Sequence, residues 1–571
     1  MRSTTRRAVL AATTALAGGG LLAACSSDSD AGSRSGPSAG PGPDAGGDYL
    51  APDGPEVAAA ERRRRPGPER RIDLTAARAR LDLGGGVSVH SWAYGGELPG
   101  REVRVTAGDT LALRLANHLP QATSLHWHGL ALRNDMDGAP GLTQRPVRAG
   151  AAFDYRFALP HPGTYWFHPH SGVQQDRGLY APLIVEDPKE PLAYDKEWVV
   201  VLDDWVDGVD GSTPDAVLAE LSSGMGHGGG TDGGGMDHGN MDHGGGTGDG
   251  AMDQGGMDHG GMDHGAGGGP SPSPGGGSDA GTGRTGPPRM MMGATSKLLG
   301  GDAGDVAYPY YLVNGRRAED PRTFRARPGD RVRIRFINAG GDTAFRVALG
   351  GHRMTVTHTD GFPVEHARTD ALLLGIGERY DVLVTAGDGV FPLTAVAEGK
   401  RRAALAVLRT GGGAAPTART RPRELSGRLL TASDLRAAEP VRLAPGAPDR
   451  TVKLRLTGSM ARYDWAINGR RYDPATRYPV RAGERVRLSF ENATTMWHPM
   501  HLHGHTFALA GGAAGRGGAP NAGARKDTAI VLPGRRLDVD FDADNPGLWM
   551  LHCHNVYHAE SGMMTVLGYR K

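Results

Sequence analysis

Four His-x-His pairs mark this 571-residue chain: His126-Trp-His128, His168-Pro-His170, His501-Leu-His503 and His552-Cys-His554. Residues i and i+2 of a strand face the same side, so each pair can present two imidazoles to one place. Eight imidazoles brought together can hold several transition-metal ions. The last pair encloses Cys553, and His498, His558 and Met563 stand nearby in sequence. Two His, one Cys and one Met make a blue-copper set, a trigonal His₂Cys site with a distant axial thioether. Zinc suits any single His pair but not the Cys/His/Met set. On a strand, Cys553 points away from His552 and His554. The shortest covalent route a chain offers would then join the thiolate centre to the imidazole cluster.

A second group of soft ligands falls in a low-complexity block at 222–295. Met-Asp-His-Gly recurs there four times, supplying Met236 and His238, Met241 and His243, Met257 and His259, and Met262 and His264. Met225, His227 and Met290-Met291-Met292 flank the repeats. Glycine at this density cannot build a core, whereas thioether and imidazole suit Cu(I). The block therefore reads as a disordered insertion that captures copper.

The elements that must position these ligands show as an internal repeat. Gly108, Gly329 and Gly483 each precede an Asn (Asn117, Asn338, Asn492) by nine residues. Another Gly follows each Asn by twelve: Gly129, Gly350 and Gly504. Between Gly and Asn the apolar residues alternate, as Leu111, Leu113, Leu115, then Val332, Ile334, Phe336, then Val486, Leu488, Phe490. Period two predicts a half-buried strand, and Asn314-Gly315 and Asn468-Gly469 predict matching turns. A strand-and-turn unit used three times predicts an all-β protein of three β-sandwich domains. The first two repeat glycines lie 221 residues apart and the next two 154, which places the Met/His block inside the second unit. The middle unit has Val347 and Leu349 where the others have histidines, so it should hold no such metal.

The expected organisation is a leader at 1–25, a flexible tether at 26–70, sandwiches at 71–187, 188–412 and 446–571, and a linker at 413–445. Arg6-Arg7 before an apolar stretch reads as a twin-arginine export signal, and Leu22-Ala23-Ala24-Cys25 as a site of lipid attachment. The expected location is outside the cytoplasm, anchored by lipid at Cys25 or, if the leader is an ordinary cleaved signal, secreted. With Cys25 so used and Cys553 needed as thiolate, a disulfide framework is excluded. Lys and Arg exceed Asp and Glu by one, which gives no reason to expect a nucleic-acid partner. No apolar run reaches the roughly 18 residues of a spanning helix.

His126-Trp-His128-Gly, His168-Pro-His170, His498-Pro-Met-His501-Leu-His503-Gly and His552-Cys-His554-x₃-His558-x₄-Met563 resemble the multicopper oxidases. The resemblance covers about 71–571 except the insertion, and implies Greek-key cupredoxin domains with four coppers. It implies type 1 copper on His498, Cys553, His558 and Met563, and type 2 copper on His126 and His501. Type 3 copper falls to His128, His168, His170, His503, His552 and His554. The implied reaction takes four electrons singly at type 1 and reduces O₂ to two waters at the trinuclear cluster. Asp137 occupies the family position of a proton-delivering acid. The residue after the second type 1 histidine, often an acid, is Ala559; Glu560 follows and, on a strand, would face the other way. Three readings compete. A metallo-oxidase would take Cu(I) or Fe(II) in copper tolerance, with Met496 near the substrate metal and Thr494 where an acid is expected. A laccase-type enzyme would oxidise phenols. A copper-sequestering protein would bind metal without turnover.

Overall fold

Each repeat glycine turns the chain into a strand that buries the alternating residues. Thr110–Asn117, Arg331–Asn338 and Arg485–Asn492 are strands, and all nine apolar residues named above are buried. Gly108, Gly329 and Gly483 have φ of 95°, 87° and 85°, a left-handed conformation that glycine adopts without strain. The acid that follows each (Asp109, Asp330, Glu484) accepts a hydrogen bond from the backbone N–H three residues back. The repeat asparagine closes the other end in the same way three times. Its Oδ1 accepts from the N–H two residues on, at Leu119, Gly340 and Thr494. Its Nδ2 donates to one nearby and one distant carbonyl: Gln121 and Val147, Thr343 and Leu374, Met496 and Val531.

The computed structural model describes residues 42–44, 46–224, 286–511 and 522–571. Arg6-Arg7, Cys25 and the four Met-Asp-His-Gly repeats lie outside them. The repeat strand of each unit runs parallel to Glu69–Gly84, Lys196–Trp205 or Arg450–Thr457. It runs antiparallel to Ala152–Ala158, Arg379–Thr385 or Arg536–Asp542. The result is three Greek-key sandwiches, built from sheets of four and four, seven and six, and six and five strands. Asn314-Gly315 and Asn468-Gly469 form the expected turns, with φ positive at both residues of each pair. Val347 and Leu349 are buried in the middle core.

The ligand-bearing sheets of the outer domains correspond. In the first domain the order is Val103–Thr106, Ala181–Glu186, Gly163–His168, His126–His128. In the third it is Arg477–Val480, Met564–Tyr569, Leu548–Cys553, His498–Leu502, Thr528–Val531. The third domain thus adds one edge strand beside its histidines.

Three expected boundaries are corrected. Residues 46–70 are no tether: helix α1 (Pro55–Arg63) buries Val57 and Ala60. Its Glu61 accepts from the Ala158 N–H of the first domain, and Arg64 donates to Asn545 of the third. Ahead of it, Leu50 N–H donates to the Tyr569 carbonyl. The four apolar residues of α1 run consecutively from Val57 to Ala60 and so show no helical period to read. Residues 413–445 also pack, with Leu429–Leu430 pairing alongside Ala371–Leu372 of the middle domain. At the end of the insertion, Met290 bridges Val306 and Thr295–Ser296 pairs with Gly301–Asp302, so 286–295 belong to the folded domain. Helix α2 (Pro214–Ser222) ends where the expected block begins.

Asn338→Ala removes both the donor and the acceptor of the middle clasp and leaves buried backbone groups unpaired. It should lower unfolding stability by about 3 kcal/mol, measured by denaturant titration of the copper-free protein.

Candidate metal centres

Strand register brings the histidine pairs of each outer domain side by side. His126 is opposite His168 in the first domain, and His501 is opposite His552 in the third. The two domains then face each other. His126 stacks on His503 with ring centroids 3.7 Å apart, and His128 on His501 at 3.8 Å. Ligand atoms of His128, His168 and His554 converge, as do those of His170, His503 and His552, and those of His126, His128 and His501. His554 Nε2 lies 3.1 Å from His128 Nδ1. His552 Nε2 lies 3.3 Å from His170 Nε2 and 3.2 Å from His503 Nε2. Two imidazole nitrogens each about 2 Å from a shared ion stand about 3.3 Å apart at a tetrahedral angle.

The outer nitrogens explain why inner ones are free. His126 Nδ1, His168 Nδ1, His501 Nδ1 and His552 Nδ1 donate to the carbonyls of Asp137, Pro169, Asp527 and Cys553. His503 Nδ1 lies 2.8 Å from Asp137 Oδ2, and His128 Nε2 3.0 Å from Asp527 Oδ1. Such partners fix the tautomer and turn the other lone pair inward. His126 Nε2, His168 Nε2 and His501 Nε2 are buried with no hydrogen-bond partner, as expected of nitrogens facing metal. The donor set fits copper. Gly138, with φ 82°, lets Asp137 tuck beneath the cluster, because a Cβ there would lie 1.9 Å from the Leu125 carbonyl oxygen.

Burial, and then the neighbouring imidazoles, hold His128, His168, His170, His503 and His554 well below the usual histidine range. His552 is lowered in the same way. At neutral pH these rings are uncharged and ready to ligate.

Cys553 lies on the other side of its strand. Its Sγ is 3.6 Å from His498 Nδ1 and 3.7 Å from His558 Nδ1, and the two nitrogens are 3.1 Å apart. Met563 is fully buried, and its backbone pairs with Cys553 and His558. Thr494 Oγ1, where an acid is expected, lies 2.8 Å from His498 Nε2. His558 is on helix α3 (Val556–Ser561), capped by the Asn555 side chain. Glu560 is therefore helical, not on a strand, and burial pushes its carboxyl up to about 7. Met496 is fully buried and presents no thioether to solvent. Met290 and Met291 are instead half-buried and Met292 exposed.

Four residues of these centres carry no sequence signal. Asp305, from the middle domain, places Oδ2 2.9 Å from His558 Nε2 and accepts from Tyr463. Burial alone would lower His558, but the Asp305 carboxylate outweighs it and raises the imidazole to about 10. Asp527, Thr528 and Arg379 lie beneath the histidine cluster. Each is a single acid, hydroxyl or base in no motif, remote in sequence from the ring it serves.

Three sandwiches, with facing histidine pairs on the outer two and a His₂Cys centre one residue from them, define a copper-binding redox protein of the cupredoxin type. Family models described as multicopper oxidase match residues 75–190, 288–413 and 446–571. The multicopper oxidase MmcO of Mycobacterium tuberculosis (strain ATCC 25618 / H37Rv) is 45% identical over 496 residues, covering 87% of this chain and 86% of that protein. A copper resistance protein A homolog of Pseudomonas syringae pv. tomato (strain ATCC BAA-871 / DC3000) is 28% identical, covering 86% and 91%. Among solved structures, the laccase from Botrytis aclada superposes with a TM-score of 0.65 at 23% identity, covering 88% of both chains. Fet3p, described as a multicopper oxidase that functions in iron import, gives 0.65 at 21%, covering 88% of this chain and 90% of its own. The chain belongs to the multicopper oxidase family and is a copper-dependent oxidoreductase.

The uncharged imidazoles set a pH dependence. Below about pH 6.5 the unfolded chain takes up protons at these histidines and the folded chain does not. The unfolded state then binds more protons, so stability falls as pH falls. Between pH 6.5 and 5 the copper-free protein should lose up to about 1.4 kcal/mol per pH unit for each such ring. Denaturation of the apoprotein across this range should show the slope, and His168→Asn should make it shallower. A flat profile would contradict the assignment.

Proposed function

We propose that this protein is a four-copper metallo-oxidase that takes electrons from Cu(I), with Fe(II) as a second metal substrate, in copper tolerance. Type 1 copper is assigned to His498, Cys553, His558 and Met563, type 2 to His126 and His501, and the type 3 pair to the other six histidines. The observation that carries the oxidase reading is the closure of the outer domains, which sets paired imidazole nitrogens 3.1–3.3 Å apart one residue from the Cys553 sulfur. Copper held by His498, Cys553, His558 and Met563 would supply one-electron oxidation of substrate, and copper held by the eight histidines the reduction of O₂, with four electrons and four protons, to two waters.

The chain's own groups do the rest. Cys553 lies between His552 and His554, so the backbone of one residue on either side links the thiolate to both halves of the cluster. Asp137 holds His503 through Oδ2, while Oδ1 lies 3.3 Å from His126 Nδ1. A carboxylate there can hold and pass protons for water formation. Buried rings at both centres, with His170 alone half-buried, limit the access of bulk water to the electron path.

The metal-substrate reading is supported by the middle domain. Met291 N–H donates to the Asp305 carbonyl at 2.7 Å, and the Asp305 carboxylate touches His558. Three consecutive methionines, two half-buried and Met292 exposed, therefore lie on the segment whose backbone pairs with the partner of His558. Arg6-Arg7 and Leu22-Ala23-Ala24-Cys25 support export and lipid anchoring outside the cytoplasm.

Replacing Met290, Met291 and Met292 together by Leu should raise KM for Cu(I) about tenfold, the equivalent of ~1.4 kcal/mol of lost binding. Turnover of a phenol should be unchanged. Oxygen uptake by the copper-loaded protein with Cu(I), Fe(II) and a phenol checks this. Faster turnover of the phenol than of either metal would favour the laccase reading. Cys553→Ser should abolish oxidation while copper retention persists; retained oxidation would overturn the electron route.

A further inference from the structure

The domain without histidine pairs sends one cation into the floor of the cluster. Arg379 opens the strand Arg379–Thr385 of the middle domain, and its side chain is fully buried. Its two terminal nitrogens donate to both carboxylate oxygens of Asp527, each at 2.7 Å. Its Nε donates to the Thr164 carbonyl of the first domain at 3.1 Å, and Nη1 to the Gly377 carbonyl at 3.1 Å. One guanidinium thus bonds to all three domains. The carboxylate it clamps, in the third domain, presents Oδ1 to His128 Nε2 of the first at 3.0 Å. Thr528 Oγ1 closes the group, donating to Asp527 Oδ1 at 2.8 Å and standing 3.0 Å from His501 Nδ1.

Two glycines show that space has been cleared for this arrangement. Gly129, which ends His126-Trp-His128-Gly, would with a Cβ come within 2.3 Å of Arg379 Nη2 and 2.5 Å of Asp527 Oδ2. The glycine in that motif is where the ion pair passes behind the ligand strand. Gly377, two residues before Arg379, would with a Cβ come within 2.9 Å of His128 Cε1 and 3.0 Å of His554 Cδ2. The loop leading to Arg379 therefore rests directly on two cluster imidazoles.

A second buried acid fixes the pair in turn. Asp360 of the middle domain accepts from the Arg379 N–H through Oδ1, and from the Asp527 and Thr528 N–H groups through Oδ2. Lys526 is 3.1 Å from the same oxygen and 3.1 Å from Glu378. A planar fork with two donors in fixed geometry holds a carboxylate plane as a single ammonium cannot.

We propose that Arg379 is a positioning residue of the trinuclear site, holding Asp527 so that His128 keeps its proton on Nε2 and turns Nδ1 toward metal. The proposal rests on the copper assignment above. The middle domain then completes the cluster without ligating it. Loss of an outer partner of a metal-bound histidine weakens metal affinity about 10–100-fold.

The test compares Arg379→Met, Arg379→Lys and Arg333→Met with the wild type after copper loading. Arg333 makes a buried pair with Asp381 on the same sheet, and neither partner bonds a cluster imidazole. Copper per chain by mass spectrometry, blue absorbance and the paramagnetic resonance spectrum are measured. Arg379→Met should lose cluster copper at limiting metal and keep the blue absorbance of the Cys553 centre. Arg379→Lys should fall between it and the wild type, because it keeps the charge and loses the fork. Arg333→Met should lower the unfolding midpoint and retain full copper. Copper content and spectra unchanged in Arg379→Met would overturn the proposal. So would equal copper loss in Arg333→Met, which would mark the effect as general destabilisation. If Arg379→Met does not fold, the lysine variant decides: a wild-type spectrum and copper affinity refute the role. A wild type that lacks blue colour refutes the copper assignment instead, and so separates the two failures.

Discussion

A neutral imidazole has one N–H and one lone pair, and eight of them buried in one cavity must each dispose of both. This constraint governs the molecule. Every lone pair turned inward requires an acceptor outside for the opposite N–H, or the buried polar group goes unpaired at a cost of about 1–3 kcal/mol. The protein meets it for six of the eight, with the carbonyls of Asp137, Pro169, Asp527 and Cys553 and with two carboxylates. The same need explains why the acceptors come from all over the chain. A strand can offer its own carbonyl to a ring, as Pro169 and Cys553 do for the histidines before them. The carboxylates must be brought by other loops, and those loops must be held by further ion pairs.

Much of the fold and the ligand set was legible in the sequence because it obeys short periods. Alternation from Leu111 to Leu115 and its two copies revealed the strands. His-x-His showed rings on one strand face, and Cys553 between two such rings showed a sulfur on the other. Where the period was short or shared across distant segments, reading failed. Helix α1 offered few apolar residues. Helix α3 follows its strand after a single capping residue, Asn555, and at six residues is too short to show a helical period. Asp305 and Asp527 act on rings 253 and 399 residues away in the chain, and Arg379 acts through Asp527, 148 residues away; no local pattern encodes such a meeting. The repeat asparagines are plain in the sequence, but their threefold clasp depends on carbonyls up to 39 residues away, which spacing alone does not identify.

The middle domain changes meaning in this light. Its sequence lacks the His-x-His pairs, whose positions are filled by Val347 and Leu349. Yet the carboxylate of Asp342 accepts from Lys400, from the Asp305 N–H and from the Asn555 amide, so it supports both the partner and the helix cap of His558. Arg379 and Asp360 do the corresponding work under the histidine cluster. One unit braces both centres from behind while the outer two supply the rings.

Helix α1 and the segment before it join the first domain to the third, with Leu50 against the strand Met564–Tyr569 and Glu61 against Ala158. Half the ligands of the cluster, and the whole thiolate centre, lie between residues 498 and 563. During synthesis on the ribosome the first domain can fold with its four histidines while the facing four do not yet exist. The cavity is completed only when the third sandwich docks and the early segment fastens across it, so all eight imidazoles can face one another only after synthesis has passed His554.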